Sequence, residues 1–311
     1  MIRVITAGAH ARVVESNLKH VNLKRNIALV DVTNPSLSEI NQLHEKFKIS
    51  VSDIKACLDH YESPRMKQTK EYTLIIYSQA HCEEDLKRCG PIGFFFTRRH
   101  LIAIHLNKLA FVDELDLNAE MTKHMFHAGT EIILLRILYE LIKTKHKLLE
   151  IIEDSLESIE DDVVTTTHEN VVRRIFALKN RLLYLKKSVS GNRSAINDLI
   201  KDVPSIKEKA LFAELNVETM QVNDTLEIYR ERLTSILEIH TGNVSNKINV
   251  AMKYFTVIAS VLLLPMLITG LYGMNVLLPF QRHQQAFWIV MGIIIACIVV
   301  MLLIFNNKKW L

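Results

Sequence analysis

Residues 254–272, YFTVIASVLLLPMLITGLY, and residues 286–305, AFWIVMGIIIACIVVMLLIF, decide the architecture of this 311-residue chain. Neither stretch holds a charge, and between Tyr254 and Phe305 the only full charge is Arg282. A hydrocarbon core about 30 Å thick takes about 20 helical residues to cross, so each stretch suffices for one passage. Basic residues gather on one side of the pair. Lys247 and Lys253 precede the first stretch and Lys308 and Lys309 follow the second, against Arg282 alone in the connection 273–285. That asymmetry predicts both ends in the cytoplasm and the connection outside. Trp288 and Trp310 fall near the two interfaces, where amphipathic rings anchor.

Everything ahead of the first span has an ordinary globular composition. The chain as a whole is 49% hydrophobic and 23% charged, with 9 Gly and 6 Pro. Mean hydropathy is +0.13, which averages over two unlike parts. Disorder, collagen-like sequence and a disulfide scaffold are excluded, and so is a purely soluble protein. The residues before the spans are numerous enough to bury a core of their own. A formal net charge of +4 is too mild to imply nucleic acid, and none is expected as a partner. Cys57, Cys82, Cys89 and Cys297 have no zinc-site spacing and are read as reduced thiols. Met1–His10 offers no apolar h-region, so no signal peptide is expected.

The first ~110 residues alternate in the manner of an α/β domain. Ile2–Thr6 and Asn26–Val32 read as strands. Asn34-Pro35-Ser36 starts a helix that runs to about Lys46, and a short helix follows near Ser52–Leu58. Tyr72–Tyr77, Gly93–Thr97 and Leu101–Leu106 are β-rich, the last two joined by Arg98-Arg99-His100. Phe94-Phe95-Phe96 reads as a core strand and not as an aromatic platform.

Beyond Phe111 the periodicity turns helical. Leu138, Ile142, Leu149, Ile152, Leu156, Ile159 and Val163 form an apolar seam with Lys145 in its one gap. Ile175, Leu178, Leu182, Leu185, Val189, Ile196 and Leu199 form a second, interrupted at Asn192. Pro204 breaks the chain, and a third seam runs Val222, Leu226, Tyr229, Leu233, Ile236, His240. One helix can extend from Ser205 to Tyr272, about 100 Å at 1.5 Å per residue. A helix of that length needs partners, so oligomerisation is expected. Seven acids lie between Glu150 and Asp162, and Arg173, Arg174, Lys179, Arg181, Lys186, Lys187 and Arg193 lie on the next helix. The two faces suit a solvated antiparallel pair; a carboxylate surface that concentrates divalent cations is the sharper alternative.

At the outer end of the first span stands Tyr272-Gly273-Met274-Asn275. Here the chain resembles the CorA family of magnesium channels, whose signature is Gly-Met-Asn at this place. Ser245-Asn246-Lys247-Ile248-Asn249, then Met252-Lys253, resembles that family's entry to the pore helix, and Lys308-Lys309-Trp310-Leu311 its basic ending. The resemblance implies a funnel-shaped homopentamer of αβα cytoplasmic sandwiches, each with a long helical stalk and two transmembrane helices, in the cell membrane. On that basis the parts are 1–128, a cytoplasmic α/β domain; 129–204, charged antiparallel helices; and 205–272, a stalk helix that enters the membrane at about 251. They continue as 273–285, the outer loop; 286–305, the second span; and 306–311, a basic cytoplasmic tail.

The function implied is influx of magnesium, and also cobalt and nickel, through one central pore, with no enzymatic activity and no organic cofactor. A zinc-transporting branch of the same family shares the signature and is the alternative. Gly273, Met274 and Asn275 would form the selectivity filter, five Asn275 amides accepting hydrogen bonds from magnesium's retained water shell. Asn249, Met252, Thr256, Ala259, Leu263, Met266 and Gly270 share one helical stripe and would line the pore. Met252 and Leu263 would act as apolar constrictions that close by dewetting, and Lys308 and Lys309 as a basic collar. Intracellular magnesium is expected to gate the pore at a site between neighbouring subunits. The family's long-helix acid aligns with Glu214, while its partner pair aligns with Lys55-Ala56, leaving flanking Asp53 and Asp59 as candidates. The outer loop also departs from the family: Val276–Gln285 has no acid and carries Arg282. Neither a P-loop nor Gly-x-Ser-x-Gly is present, and His124 and His127 lack zincin spacing to a carboxylate.

Overall fold

The computed structural model describes residues 1–7, 11–14, 27–79, 90–107, 109, 112, 119–165, 169–203, 208–276, 279, 284–308 and 310. His81, Cys82 and Cys89, Pro204 with the first residues of the expected stalk helix, Arg282 and Lys309 lie outside them. The chain divides into two units, Met1–Ile236 and Leu237–Leu311.

In the first unit the strands are β1 (Ile2–Ala7), β2 (Ala11–Val14), β3 (Ala28–Thr33), β4 (Arg65–Gln68), β5 (Thr73–Gln79), β6 (Gly90–Phe96) and β7 (His100–His105). They form one sheet in the order β2-β1-β3-β7-β6-β5-β4. Among these pairings only β3 with β7 is parallel. The register aligns the alternation of each strand with that of its neighbours. Val4 pairs with Val30, Val30 with Ile102, Ile102 with Phe95, and Phe95 with Leu74, one apolar row across the sheet. That row packs beneath helices α1 (Leu37–Phe47) and α2 (Val51–Ala56) in a core that includes Ile40, Leu43, Ile54 and Cys57. Gly93 is needed at this contact: a Cβ there would lie 1.9 Å from Cys57 Sγ. Phe94, Phe95 and Phe96 are all buried, as core strand requires.

The helix start at α1 follows local chemistry. Ser36 accepts a hydrogen bond from the Glu39 amide while Glu39 accepts one from the Ser36 amide, so two otherwise unpaired donors are satisfied. Lys48 closes the helix in the left-handed region at φ 54°.

Helices α3 (Ala119–Ala128), α4 (Thr130–Thr165) and α5 (Glu169–Asp202) complete the unit with the first part of α6 (Lys209–Tyr272). α4 contacts β3, β6 and β7, and α5 contacts β4 and β5. The apolar seams are buried: Leu138, Ile142, Leu149, Ile152, Leu156 and Ile159 on α4, and Ile175, Leu178, Leu182, Leu185, Val189, Ile196 and Leu199 on α5. Each polar interruption has a partner in the sheet. Lys145 is 1% exposed, its Nζ 3.4 Å from Tyr77 Oη and 4.6 Å from the centre of that ring. Asn192 is fully buried; its Oδ1 accepts from the Ser78 amide at 2.7 Å and its Nδ2 donates to the Ser78 carbonyl at 2.9 Å. β4 reaches only as far as Ile76 along β5, so the Asn192 amide serves Ser78 where β4 has ended. Gly191 lets the helix approach: a Cβ there would come 2.9 Å from Pro64.

Ionic contacts join the three long helices. Arg232 on α6 makes a forked contact with Glu160 on α4, at 2.9 and 3.3 Å, while Tyr229 donates to Glu153 at 3.0 Å. Arg174 pairs with Asp162, and Lys186 with Glu227. Of the acids of α4, Glu153, Glu160 and Asp162 make these contacts, and Glu150, Asp154, Glu157 and Asp161 are exposed to solvent.

The second unit holds the rest of α6 and helix α7 (Ala286–Asn307). Both are long and apolar enough to cross a membrane, and only 6% of the apolar window of each is buried. Apolar surface of this extent, left uncovered by its own chain, needs lipid or further protein. Each helix has one shielded stripe: Val257, Ser260, Val261, Leu264, Pro265 and Ile268 on α6, and Ala286, Val290, Ile294, Cys297, Ile298 and Met301 on α7.

Candidate functional site

The expected pore stripe lies on the side of α6 away from that shielded face. Asn249, Met252, Thr256, Ala259, Leu263, Met266 and Gly270 are all exposed, with Met252, Leu263 and Met266 at 61%, 65% and 69%. The 22 residues from Asn249 to Gly270 span 21 steps and rise about 32 Å, matching a bilayer's hydrocarbon thickness. The stripe is therefore a continuous strip from one polar boundary to the other. Thr256 turns its hydroxyl proton back onto the Met252 carbonyl at 2.8 Å, so the hydroxyl oxygen keeps acceptor capacity for the outward side. Pro265 sits inside the helix and leaves the Val261 carbonyl without its usual amide donor. Thr269 donates its hydroxyl to the Pro265 carbonyl at 3.0 Å one turn later.

The helix ends at the signature. The Gly273 amide closes on the Thr269 carbonyl at 2.9 Å, and the Met274 amide reaches back to Leu271 at 3.2 Å, a tightened last turn. A Cβ at Gly273 would come 3.3 Å from the Thr269 oxygen. Tyr272 Oη donates to the Pro279 carbonyl at 3.3 Å and ties the loop between the two apolar helices to the helix end. Met274 and Asn275 stand exposed beyond that turn. Lys308 follows α7, its amide bonded to the Ile304 carbonyl.

The three regulatory candidates sit in different settings. Glu214 is exposed on α6, near enough to Tyr139 that its charge, with that of Glu218, adds to partial burial in raising the tyrosine's pKa. Asp59 is exposed after α2 and accepts the Tyr61 amide at 3.0 Å. Asp53 is different. Its carboxylate is 4% exposed, bonded to Lys67 Nζ at 2.7 and 2.8 Å and to Tyr72 Oη at 2.6 Å. Burial alone would raise this carboxyl, but the bonds from Lys67 and Tyr72 outweigh it and hold it below the ordinary aspartate range. Within the chain, the Lys67 ammonium already faces Asp53. Lys67 was invisible as its partner in the sequence, because β4 had no strand signal. Among the described residues no three His, Cys, Asp or Glu side chains cluster to hold a metal within one chain.

An α/β domain continued by one long helix into two apolar, largely uncovered candidate spans is the layout of a membrane protein with a large soluble part. The chain belongs to the family described as CorA-like Mg2+ transporter protein, which it matches over residues 25–309. It is 30% identical to the cobalt/magnesium transport protein CorA of Methanocaldococcus jannaschii over 318 aligned positions, covering all of both chains. The complete structure of the CorA magnesium transporter from that organism superposes with a TM-score of 0.89 at 28% identity, covering 100% of this chain and 99% of that one. The cytoplasmic domain of ZntB from Vibrio parahaemolyticus shares the fold of the soluble part, with a TM-score of 0.66 at 14% identity over 78% of this chain and 98% of that one. The family is one of transporters, and this chain is a membrane transporter and not an enzyme.

Proposed function

We propose that this chain is a divalent-cation channel that admits magnesium, and also cobalt and nickel, through a central pore of a homopentamer. The end-to-end correspondence with a solved magnesium transporter carries this reading. Five copies of α6 around one axis would turn the exposed stripe inward, which gives an otherwise unpartnered apolar helix face a use. Asn275 then forms an outer amide ring that accepts hydrogen bonds from a hydrated ion, and Asn249 an inner one. Because magnesium gives up its waters reluctantly, a ring that binds the shell suits it better than one that strips it. Met252 and Leu263, about 17 Å apart along the helix, are the apolar rings that empty of water in the closed state.

Both termini lie in the cytoplasm in this reading, and Lys308 with Lys309 forms a basic collar at the inner mouth. Gating rests on Glu214, with Asp53 and Asp59 the candidates on a neighbouring copy. Magnesium must bind the closed arrangement more tightly than the open one, since only differential affinity shifts an equilibrium. The deciding experiment is uptake into proteoliposomes of magnesium, cobalt, nickel and zinc side by side. Saturable magnesium and cobalt flux supports the reading, and zinc flux without magnesium flux replaces it by the zinc-transporting branch.

A further inference from the structure

Two exposed helix faces in the first unit have no use in the pore, the gate or the core. On α5, Arg173, Phe176, Asn180, Leu183 and Lys187 follow at spacings of three and four and, with Tyr184 beside them, share one face, all exposed. Phe176, Leu183 and Tyr184 leave 50%, 48% and 53% of their surface uncovered. On α4, Glu150, Ile151, Asp154, Glu157, Asp161 and Val164 form the corresponding outward face, with Val164 79% exposed. One face is basic and aromatic; the other is acidic with an apolar residue at each end. They cannot meet within a chain, because both point outward from an α4–α5 pair whose buried seams already face inward.

We infer that the α5 face of one copy docks on the α4 face of the next. The occupant is a second copy because the chain itself carries the complement in both charge and apolar content. Two different patches that fit each other make a head-to-tail contact, which closes into a ring when the rotation permits. This contact rests on the oligomer proposed above and adds to it the surfaces that meet. The aromatic side chains supply area, while the charges select orientation and exclude pairing of two acidic faces.

The test uses the full-length protein in detergent and a carbodiimide, which joins a lysine amine to a carboxylate without a spacer. The expected result is a covalent ladder on denaturing gels, with peptides joining Lys179 or Lys187 to Glu150, Asp154, Glu157 or Asp161. The variant Lys179→Arg with Lys187→Arg keeps both charges but removes the coupling amines, so it should lose the ladder and keep its oligomeric mass in native mass spectrometry. In a second variant, Arg173→Glu with Lys187→Glu, the remaining Lys179 links should fall to background. A ladder that persists in the arginine variant, or an intact oligomer with no such links in the wild type, overturns the docking and leaves the assembly standing. A monomer in native mass spectrometry overturns both.

Discussion

Replacing Asn192 with leucine tests whether the interruption of the α5 seam is a defect or a fitted part. The wild-type amide makes two bonds to one residue, from the Ser78 amide at 2.7 Å and to the Ser78 carbonyl at 2.9 Å. The variant keeps Ser188 Oγ on that carbonyl at 3.2 Å, so the oxygen retains a partner while the Ser78 N–H is orphaned in the interior. An unsatisfied buried donor costs about 1–3 kcal/mol, and the second lost bond about 0.5–1.5 kcal/mol. Leucine adds apolar contact, which offsets part of this, and the net loss is about 2 kcal/mol. At about 2–4 °C per kcal/mol for a unit of this size, the melting temperature should fall by about 4–8 °C. The assay is thermal unfolding of the detergent-solubilised protein followed by circular dichroism. Asn41→Ala, at an exposed position of α1, serves as the control and should stay within about 2 °C. A leucine variant as stable as that control would show that Ser78 finds its bonds elsewhere and that the strand-like role of Asn192 is wrong.

Three further outcomes follow from the site and its surroundings. Asn275→Ala should abolish magnesium uptake while native mass spectrometry shows an unchanged oligomer; wild-type flux in that variant would remove the amide ring from the mechanism. Glu214→Lys should weaken inhibition by internal magnesium without altering ion preference, read as current in excised patches during magnesium steps, and an unshifted inhibition curve would make Glu214 ordinary helix surface. Because the Asp53 carboxyl titrates below its ordinary value in the fold, its stabilisation is present above about pH 4 and is lost as pH falls through that lowered value. Tyr72→Phe removes one of the bonds that lower it, so the melting temperature of that variant should fall less steeply between pH 4 and the acid limit, and parallel curves would count against the coupling.

The spans and the long helices were legible because their signals are long and redundant. A stretch such as residues 286–305 has one physical explanation, and seams of seven residues survive a single misfit such as Lys145. The sheet was legible only in its buried strands. β4, Arg65-Met66-Lys67-Gln68, is an edge strand with mixed exposure and no alternation, as edge strands tend to be, and the short helix expected near Ser52–Leu58, ahead of it in the chain, therefore stood without its neighbour. That omission propagated to Asp53, whose neutralising Lys67 lies on β4. The proposed site behaved likewise: that Asn249, Met252, Thr256, Leu263, Met266 and Gly270 share one exposed stripe follows from helical spacing, whereas a site shared between copies depends on contacts that no spacing within one chain encodes.

The parallel joint between β3 and β7 has a consequence for biosynthesis. Its two strands are separated by the whole of α1, α2 and the β4–β6 meander, so the centre of the sheet cannot close until His105 has left the ribosome. Such distant pairing is slow to form, because loop closure precedes any reward in contacts. Yet 149 residues separate His105 from Tyr254, where the first apolar span begins. At about 5–20 residues per second the nascent sheet has a head start of about 7–30 s before a membrane segment is made. The slowest pairing in the soluble part thus falls at a stage of synthesis when no span yet competes for its hydrophobic strands.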